Sequence, residues 1–372
     1  MVIKAMPKQP SDISNLIKDK MHTLTLPGQN DKMITPREYF REISELAKQS
    51  PSLALGFSMH LYTVWGLNYI MNDKQKSYFY NSVKKDDMLF GSPNDPGLYF
   101  ISQINEEDYP IIAKKDGNQY IINGKKHYVS MEPYVRYLPV YSYVQGYSGK
   151  GLGLALVIVD KCHEGISVSK DWDTMSMNDT SSNSISFDNV VIDPDHVVLM
   201  EGDDLGKADH LAYLFRLSVS SVYYGLAERA IEVIVDRCKN KKVPNSASKL
   251  STFPGTQFTI SEMTILQETA KSQLLYYCDL LDRTLTNPQE PINEDINTSS
   301  LITKEYVTSS AEKIVNLAMK IDGISSLFEH SEISKLFRDV QAGRFHPPQI
   351  DVIKEIIGKK KLGIFTRQRR WV

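Results

Sequence analysis

Cysteine is scarce in this chain of 372 residues: Cys162, Cys238 and Cys278 are the only three, and none belongs to a C-x-x-C pair. An odd number at such wide spacing argues against a disulfide framework and a thiolate metal site, and suits a reducing compartment. Charge of one sign is equally lacking. Lys and Arg number 43 against 45 Asp and Glu, a formal net charge of −2, so no global electrostatic grip on nucleic acid or an anionic membrane is expected. No stretch reaches the ~18 to 20 uninterrupted apolar residues of a membrane span, and the opening MVIKAMPKQPSDISNLIKDKMH has no apolar signal core. The expectation is a soluble, cytoplasmic protein that needs neither nucleic acid nor membrane as partner.

Catalytic signatures are missing too. The eight histidines include no H-E-x-x-H and no i, i+4 pair, so no metal site is expected. No G-x-S-x-G elbow occurs. Gly149-Lys150-Gly151-Leu152-Gly153 has Val144 where a phosphate loop needs its first glycine and Gly151 where it needs Ser or Thr, so it reads as a hairpin turn. The basic end, Lys359-Lys360-Lys361 with Arg367, Arg369 and Arg370, reads as a solvated helix terminus.

The length suits two or three structural units, and the hydrophobic period divides them. Residues 10–95 are helical in pieces. Thr35-Pro36-Arg37-Glu38 opens one helix with a cap, a proline at its first position and a capping-box glutamate. Residues 52–65 are apolar nearly all round, as in a helix buried on most faces. At Gly91–Gly97 the helical period stops, and short apolar runs between turns follow. Gln119–Ile122, Asn123-Gly124 and Lys125–Ser130 predict a hairpin with a type I′ turn. Residues 152–159, 166–168, 184–187 and 190–192 add strands, and the β region closes near Pro194. Helical period returns from about Leu205, in segments 211–240, 259–285, 297–322, 331–342 and 351–362, with polar loops at 243–255 and 287–300. Long helices on short loops form antiparallel bundles. The expected class is α+β: an N-terminal helical domain (1–95), a central antiparallel β-barrel domain (96–198) and a C-terminal four-helix bundle (199–372).

Five strings stand in this order: Pro51-Ser52-Leu53-Ala54-Leu55 through Met59-His60; Asp116 to Lys126; Trp172-Asp173-Thr174-Met175-Ser176-Met177; Phe187-Asp188-Asn189-Val190-Val191-Ile192; and Gly225-Leu226-Ala227-Glu228-Arg229-Ala230. In order and spacing they resemble the acyl-CoA dehydrogenase family over about residues 20–365. The resemblance implies an FAD between the β domain and the bundle, with its ADP arm crossing to a neighbouring subunit, hence a homo-oligomer, dimer or tetramer. Tyr128-Val129-Ser130 matches the family's Trp-Ile-Thr, which implies stacking of Tyr128 on the flavin and a hydrogen bond from Ser130 near its N5; an ordinary cross-strand Tyr and Ser is the alternative. Lys241 falls where the family's pyrophosphate-gripping Arg stands, and Pro244 and Asn245 fall where its Phe and Gly stand. Lys320 to Ser326 matches Gln-x-x-Gly-Gly-x-Gly with Gly323 as the surviving glycine, followed by Arg338-Asp339. The flavin and substrate loop matches a shortened region, Ser92 to Gln103, which makes Ser92 a substrate-binding candidate. With the ADP set weakened, FMN stands beside FAD.

The family's catalytic Glu falls on Pro347 in one arrangement and on Phe215 in the other, and neither accepts a proton. His346 is the nearest titratable group. A histidine here is similar to the flavin monooxygenase branch of the same fold, where it assists oxygen chemistry; a loop histidine packed under two prolines is the alternative. Arg216 matches the family's Arg near the acyl-thioester, although the neighbouring family Asp falls on Tyr213; a salt bridge is the other option. His60 is expected as a satisfied core histidine. Three functions follow: an acyl-CoA dehydrogenase-like flavoprotein with His346 in place of Glu, passing its electrons to an acceptor; a two-component monooxygenase fed by a flavin reductase; and a flavin-free scaffold of the same fold.

Overall fold

The computed structural model describes residues 11–28, 32–95, 109–149, 153–243, 246–287 and 294–364. Gln103, Lys150, Gly151, Leu152, Pro244, Asn245 and the three C-terminal arginines, which figure in the expectations above, lie outside the described residues. Four helices lead: α1 (Ser11–Lys18), α2 (Pro36–Gln49), α3 (Pro51–Leu67) and α4 (Asp73–Asp86). The start of α2 is the capping box foreseen. The Thr35 hydroxyl accepts from the Glu38 amide at 3.3 Å, while the Glu38 carboxylate accepts from the Thr35 amide at 2.9 Å. Every residue of α3 except Leu53 is buried, because α2, α5 and the sheet enclose a helix that offers no polar face. His60 is satisfied from both sides: its Nδ1 accepts from the Phe90 amide at 3.0 Å and its Nε2 meets the His22 carbonyl at 2.9 Å.

Eight strands follow: β1 (Leu89–Phe90), β2 (Ile111–Asp116), β3 (Gln119–Val129), β4 (Val135–Val144), β5 (Leu154–Asp160), β6 (Ile166–Ser169), β7 (Asn183–Ile192) and β8 (Val197–Leu199). Their order is β6-β7-β3-β2-β4-β5-β8, with β1 beside β4. The sheet is not wholly antiparallel, as the sequence suggested: β1 and β2 each run parallel to β4, since β3 and the turn after it act as the crossover that parallel neighbours need.

The hairpin turn also lies elsewhere than expected. Asp116 pairs with Gln119, so the two-residue turn is Gly117-Asn118, and Asn123-Gly124 lies inside β3 at a break in its pairing with β7. Gly124 has φ +134°, and a Cβ there would stand 2.2 Å from the Pro110 carbonyl, so the Asn-Gly signal marks a bulge that lets another backbone approach. The runs 184–187 and 190–192 are one strand, β7. The unforeseen β4 carries Pro139 at its centre, opposite Ile158 of β5. Its other edge pairs with β1 at Val135 and Tyr137 and with β2 at Tyr143 and Val144, so the missing amide falls between ladders.

Five more helices follow among the described residues: α5 (Asp209–Asn240), α6 (Pro254–Thr286), α7 (Glu294–Asp322), α8 (Glu332–Val340) and α9 (Ile350–Lys361). Central α5 packs on α2, α3, α6 and α7. Polar links pin the layers: the Tyr39 hydroxyl meets Ser218 Oγ at 2.6 Å, and Arg37 forks onto Asp279 at 2.5 and 2.6 Å. Among the described residues no helix is long and apolar enough to cross a membrane.

Candidate functional site

A cavity of about 620 Å³ opens where α3, the end of β3, residues 172–182, α5 and the loop after α8 converge. Ser92, Tyr128, Ser130 and His346 all line it. The structure therefore brings together four residues that the sequence scatters over 255 positions, from 92 to 346.

Backbone strain is concentrated on the sheet side of this cavity. Among the described residues seven non-glycine residues have positive φ, and four of them, Tyr128 (+59°), Met131 (+57°), Met177 (+51°) and Ser181 (+46°), belong to two adjacent segments of its wall. Each such residue costs on the order of 1 kcal/mol, and strain of this kind gathers at binding and catalytic sites. The Met131 amide donates to the Thr180 carbonyl at 2.7 Å and locks the two segments together. The Tyr128 ring is 60% exposed and stands edge-on to Trp172 at 6.4 Å.

A hydroxyl chain runs beside it. Thr180 Oγ1 donates to the Met177 carbonyl at 2.8 Å, so the 2.8 Å contact between Thr180 and Ser182 must be donated by Ser182. The 3.0 Å contact between Ser182 and Ser130 must then be donated by Ser130. With its one proton spent, Ser130 turns lone pairs to the cavity.

Two further supports hold the walls. Asp339 on α8 accepts from the Met177 amide through Oδ1 at 2.8 Å, and its carbonyl accepts from Ser176 Oγ at 3.1 Å. Burial pushes its carboxyl pKa up, and among the described residues Oδ2 has no hydrogen-bond partner. Ser92 is held by the Tyr62 hydroxyl, and its Oγ accepts from the Asn94 amide at 3.1 Å. Fully buried Lys126 donates to the Asn94 carbonyl at 3.0 Å.

His346 hangs from the bundle side. Its Nε2 meets the hydroxyl of Tyr223 on α5 at 3.0 Å, and Lys304 on α7 donates to the Pro348 carbonyl at 3.2 Å. Burial, and secondarily the Lys304 charge, push the imidazole pKa down to about 3, so the ring is neutral near pH 7. Phe215 and Asn94 line both this cavity and a smaller one of about 240 Å³ bounded also by Tyr62, Asp95, Tyr141 and Asp209.

The remaining candidates lie elsewhere. Arg216, one position from Phe215, is rotated about 100° around α5 and does not line the cavity. It donates to Asn297 Oδ1 at 2.8 Å and Ser300 Oγ at 2.7 Å on α7 and is buried, so it is not the surface salt bridge of the alternative reading. Lys241 lines a separate concavity of about 500 Å³ with Arg237, Ser325 and His330, and donates to Ser325 Oγ at 3.4 Å. Lys320 is exposed and outside both cavities. Gly323 follows the end of α7 with φ +67°, a left-handed helix exit that suits glycine, and a Cβ there would meet nothing within 4 Å. Tyr223, Lys304 and Lys126 were not singled out from sequence, and Asp339 was named only as part of the Arg338-Asp339 pair. The one legible signal was Lys304, a lysine on the apolar stripe Leu301, Val307, Ala311, Ile314.

Two family models match the chain: acyl-CoA dehydrogenase, middle domain, over residues 108–190, and acyl-CoA dehydrogenase, C-terminal domain, over residues 217–348. YdbM, an acyl-CoA dehydrogenase homologue of Bacillus subtilis (strain 168), is 28% identical over 244 residues, 65% of this chain but only 60% of YdbM. Dibenzothiophene monooxygenase of Rhodococcus qingshengii is 21% identical over 340 residues, 85% of this chain and 80% of that one. Among solved structures, FMN-bound TdsC from Paenibacillus sp. A11-2 superposes with a TM-score of 0.80 at 17% identity, covering 95% of this chain and 91% of TdsC. With helical, sheet and bundle regions in the same order and both models matched in sequence, the chain belongs to the acyl-CoA dehydrogenase family.

Proposed function

We propose that this chain is a flavin-dependent oxidoreductase that uses O₂ on a small, uncharged substrate in the 620 Å³ cavity. One observation carries the reading: no carboxylate is among the described residues that line it, and the two positions matched to the family's Glu hold Phe215 and Pro347. Removing an α-proton needs a base, and a histidine whose pKa is about 3 is a poor one. The residues fit a flavin ring: the exposed Tyr128 offers a stacking face, Ser130 presents lone pairs to an N–H donor, and the strained wall is fixed before any ligand arrives. A bound reduced flavin supplies the two electrons that let one oxygen atom enter the substrate while the other leaves as water. The protein's own residues confine the substrate between Met175, Phe215 and Phe345, and His346 hydrogen-bonds to it without carrying charge.

FMN-bound TdsC and the dibenzothiophene monooxygenases support this reading, in which a separate reductase would supply the reduced flavin. Acyl-CoA dehydrogenation is the second reading, favoured by the family models and YdbM. The test is direct. Protein loaded with FMN or FAD is mixed anaerobically with a panel of acyl-CoAs, and separately supplied with reduced flavin, O₂ and small sulfur or nitrogen heterocycles. We expect oxygenated heterocycle and no bleaching by acyl-CoA; bleaching by an acyl-CoA overturns the proposal. His346→Ala should lose about 10²-fold in turnover, as for removal of one positioned hydrogen-bond donor, with flavin affinity nearly unchanged.

A further inference from the structure

The orientation of the His346 proton follows from the group behind it. Tyr223 is fully buried, and its hydroxyl has His346 Nε2, at 3.0 Å, as its hydrogen-bond partner. The rings meet edge to face at 5.6 Å and 61°, so the contact is set by packing as well as by the hydrogen bond. Two protonation patterns satisfy that distance. If Nε2 carried the proton and donated, the phenolic O–H would be buried without an acceptor at hydrogen-bond distance among the described residues, since the nearby Asp339 carboxylate makes no bond to it, which costs about 1 to 3 kcal/mol. If the phenol donates, both atoms are satisfied, and the ring proton sits on Nδ1. Burial raises the Tyr223 pKa well above the ordinary phenol value, so the phenol keeps its proton.

The surroundings anchor the loop after His346 and the ring of Tyr223. Lys304 Nζ holds the Pro348 carbonyl two residues further on. Gly343 lies under the Tyr223 ring: a Cβ there would stand 3.0 Å from Tyr223 Cε1 and 3.3 Å from Thr308 Cβ. Since His346 lines the cavity and Nε2 is committed to Tyr223, Nδ1 is the ring nitrogen left for a ligand.

We infer that Tyr223 is a positioning residue that fixes His346 as its neutral Nδ1–H tautomer, so that His346 faces the cavity as a hydrogen-bond donor and selects a ligand oxygen that accepts. This deepens the proposed function and rests on its placement of the ligand. It also separates donor from base: an Nδ1 that already holds a proton cannot receive one from a substrate carbon. No proton is transferred in this role, because passing the Nδ1 proton on would leave either an imidazolate or a buried tyrosinate.

The test reads the tautomer without flavin or substrate. Full-length protein labelled with ¹⁵N-histidine is examined at pH 7 by long-range ¹H–¹⁵N correlation, with the His346 signals assigned by their loss in His346→Gln. We expect a pyrrole-type Nδ1 and a pyridine-type Nε2, the reverse of the form that free neutral histidine favours. In Tyr223→Phe, which keeps the ring and removes the hydroxyl, a third or more of the population should shift to Nε2–H. An Nε2–H signature in the wild type overturns the inference, as does a Tyr223→Phe spectrum identical to the wild type. The wild-type measurement stands even if that variant fails to fold. Failure of the proposed function is distinguishable, because it shows as bleaching by acyl-CoA with the Nδ1–H signature intact.

Discussion

Lys304 offers a sharp test of the electrostatics behind the site. It is fully buried on α7, its Nζ donates to the Pro348 carbonyl at 3.2 Å, and desolvation lowers its pKa from 10.5 to about 8. Between those two pH values the unfolded chain holds a proton that the folded chain refuses. Stability therefore rises with pH across the window from 8 to 10.5 and is flat just below it. The depression corresponds to about 3 kcal/mol of destabilisation at pH 7. Lys304→Met removes that penalty and conserves most of the volume, but it leaves the Pro348 carbonyl unpaired at about 1 to 3 kcal/mol.

The two effects separate by pH. The lost hydrogen bond costs the same at pH 7 and above pH 10.5, where a neutral amine would still donate, whereas the desolvation penalty exists only at the lower value. Urea midpoints of both proteins at one concentration should show the Met variant equal to or somewhat more stable than wild type at pH 7. At pH 10.5 it should be less stable, with the difference moving by about 3 kcal/mol in all. A difference that does not change with pH would mean that Lys304 titrates as an ordinary lysine and that its burial is not what the packing of α7 implies.

Other perturbations are simpler. Phe215→Ala should join the two cavities and cost about 3 to 5 kcal/mol, with ligands too bulky for the wild type now bound in a calorimetric titration and flavin affinity within about twofold. Thr35→Ala should cost about 1 kcal/mol in urea unfolding by removing one half of the capping box. His60 is held neutral, its pKa pushed down to about 3 from 6.5 by burial, so the unfolded chain binds its proton first and stability falls as pH drops from 6.5 toward 3. In His60→Gln the loss between pH 6.5 and 4.5 should be about 2 kcal/mol smaller than in the wild type, measured by the shift in unfolding midpoint.

The fold was legible where the determinants are local. The capping box of α2, the all-round apolar α3 and the five bundle helices follow from side-chain period and end signals. The sheet was legible as strands but not as a topology. Asn123-Gly124 and Asp116-Gly117-Asn118 are turn signals of similar strength, and which one turns depends on the Pro110 backbone and on β7, neither of which belongs to the signals themselves. The strand β4 was hidden by Pro139, a residue that counts against a strand unless its partner edge is known to be vacant.

The candidate site divides in the same way. Tyr128, Ser130, Ser92 and His346 could be named because a family pattern marks their positions, and all four reach one cavity. What gives them their chemical sense could not. Ser130 becomes an acceptor only because Thr180 spends its proton on the Met177 carbonyl and so orders the whole chain of hydroxyls. The neutral state of His346 comes from burial beside Lys304, 42 residues away in sequence. Arg216 shows the converse: an arginine at a matched position, one residue from the cavity wall, is turned by the 3.6-residue period of α5 onto α7. A motif fixes which side chain stands at a position, while its protonation and the direction it presents depend on neighbours contributed by other helices and strands. That is why Phe215 and Pro347 at the positions matched to the family's Glu can be read in the sequence, while the protonation and direction of the groups around the cavity can be read only in the packed structure.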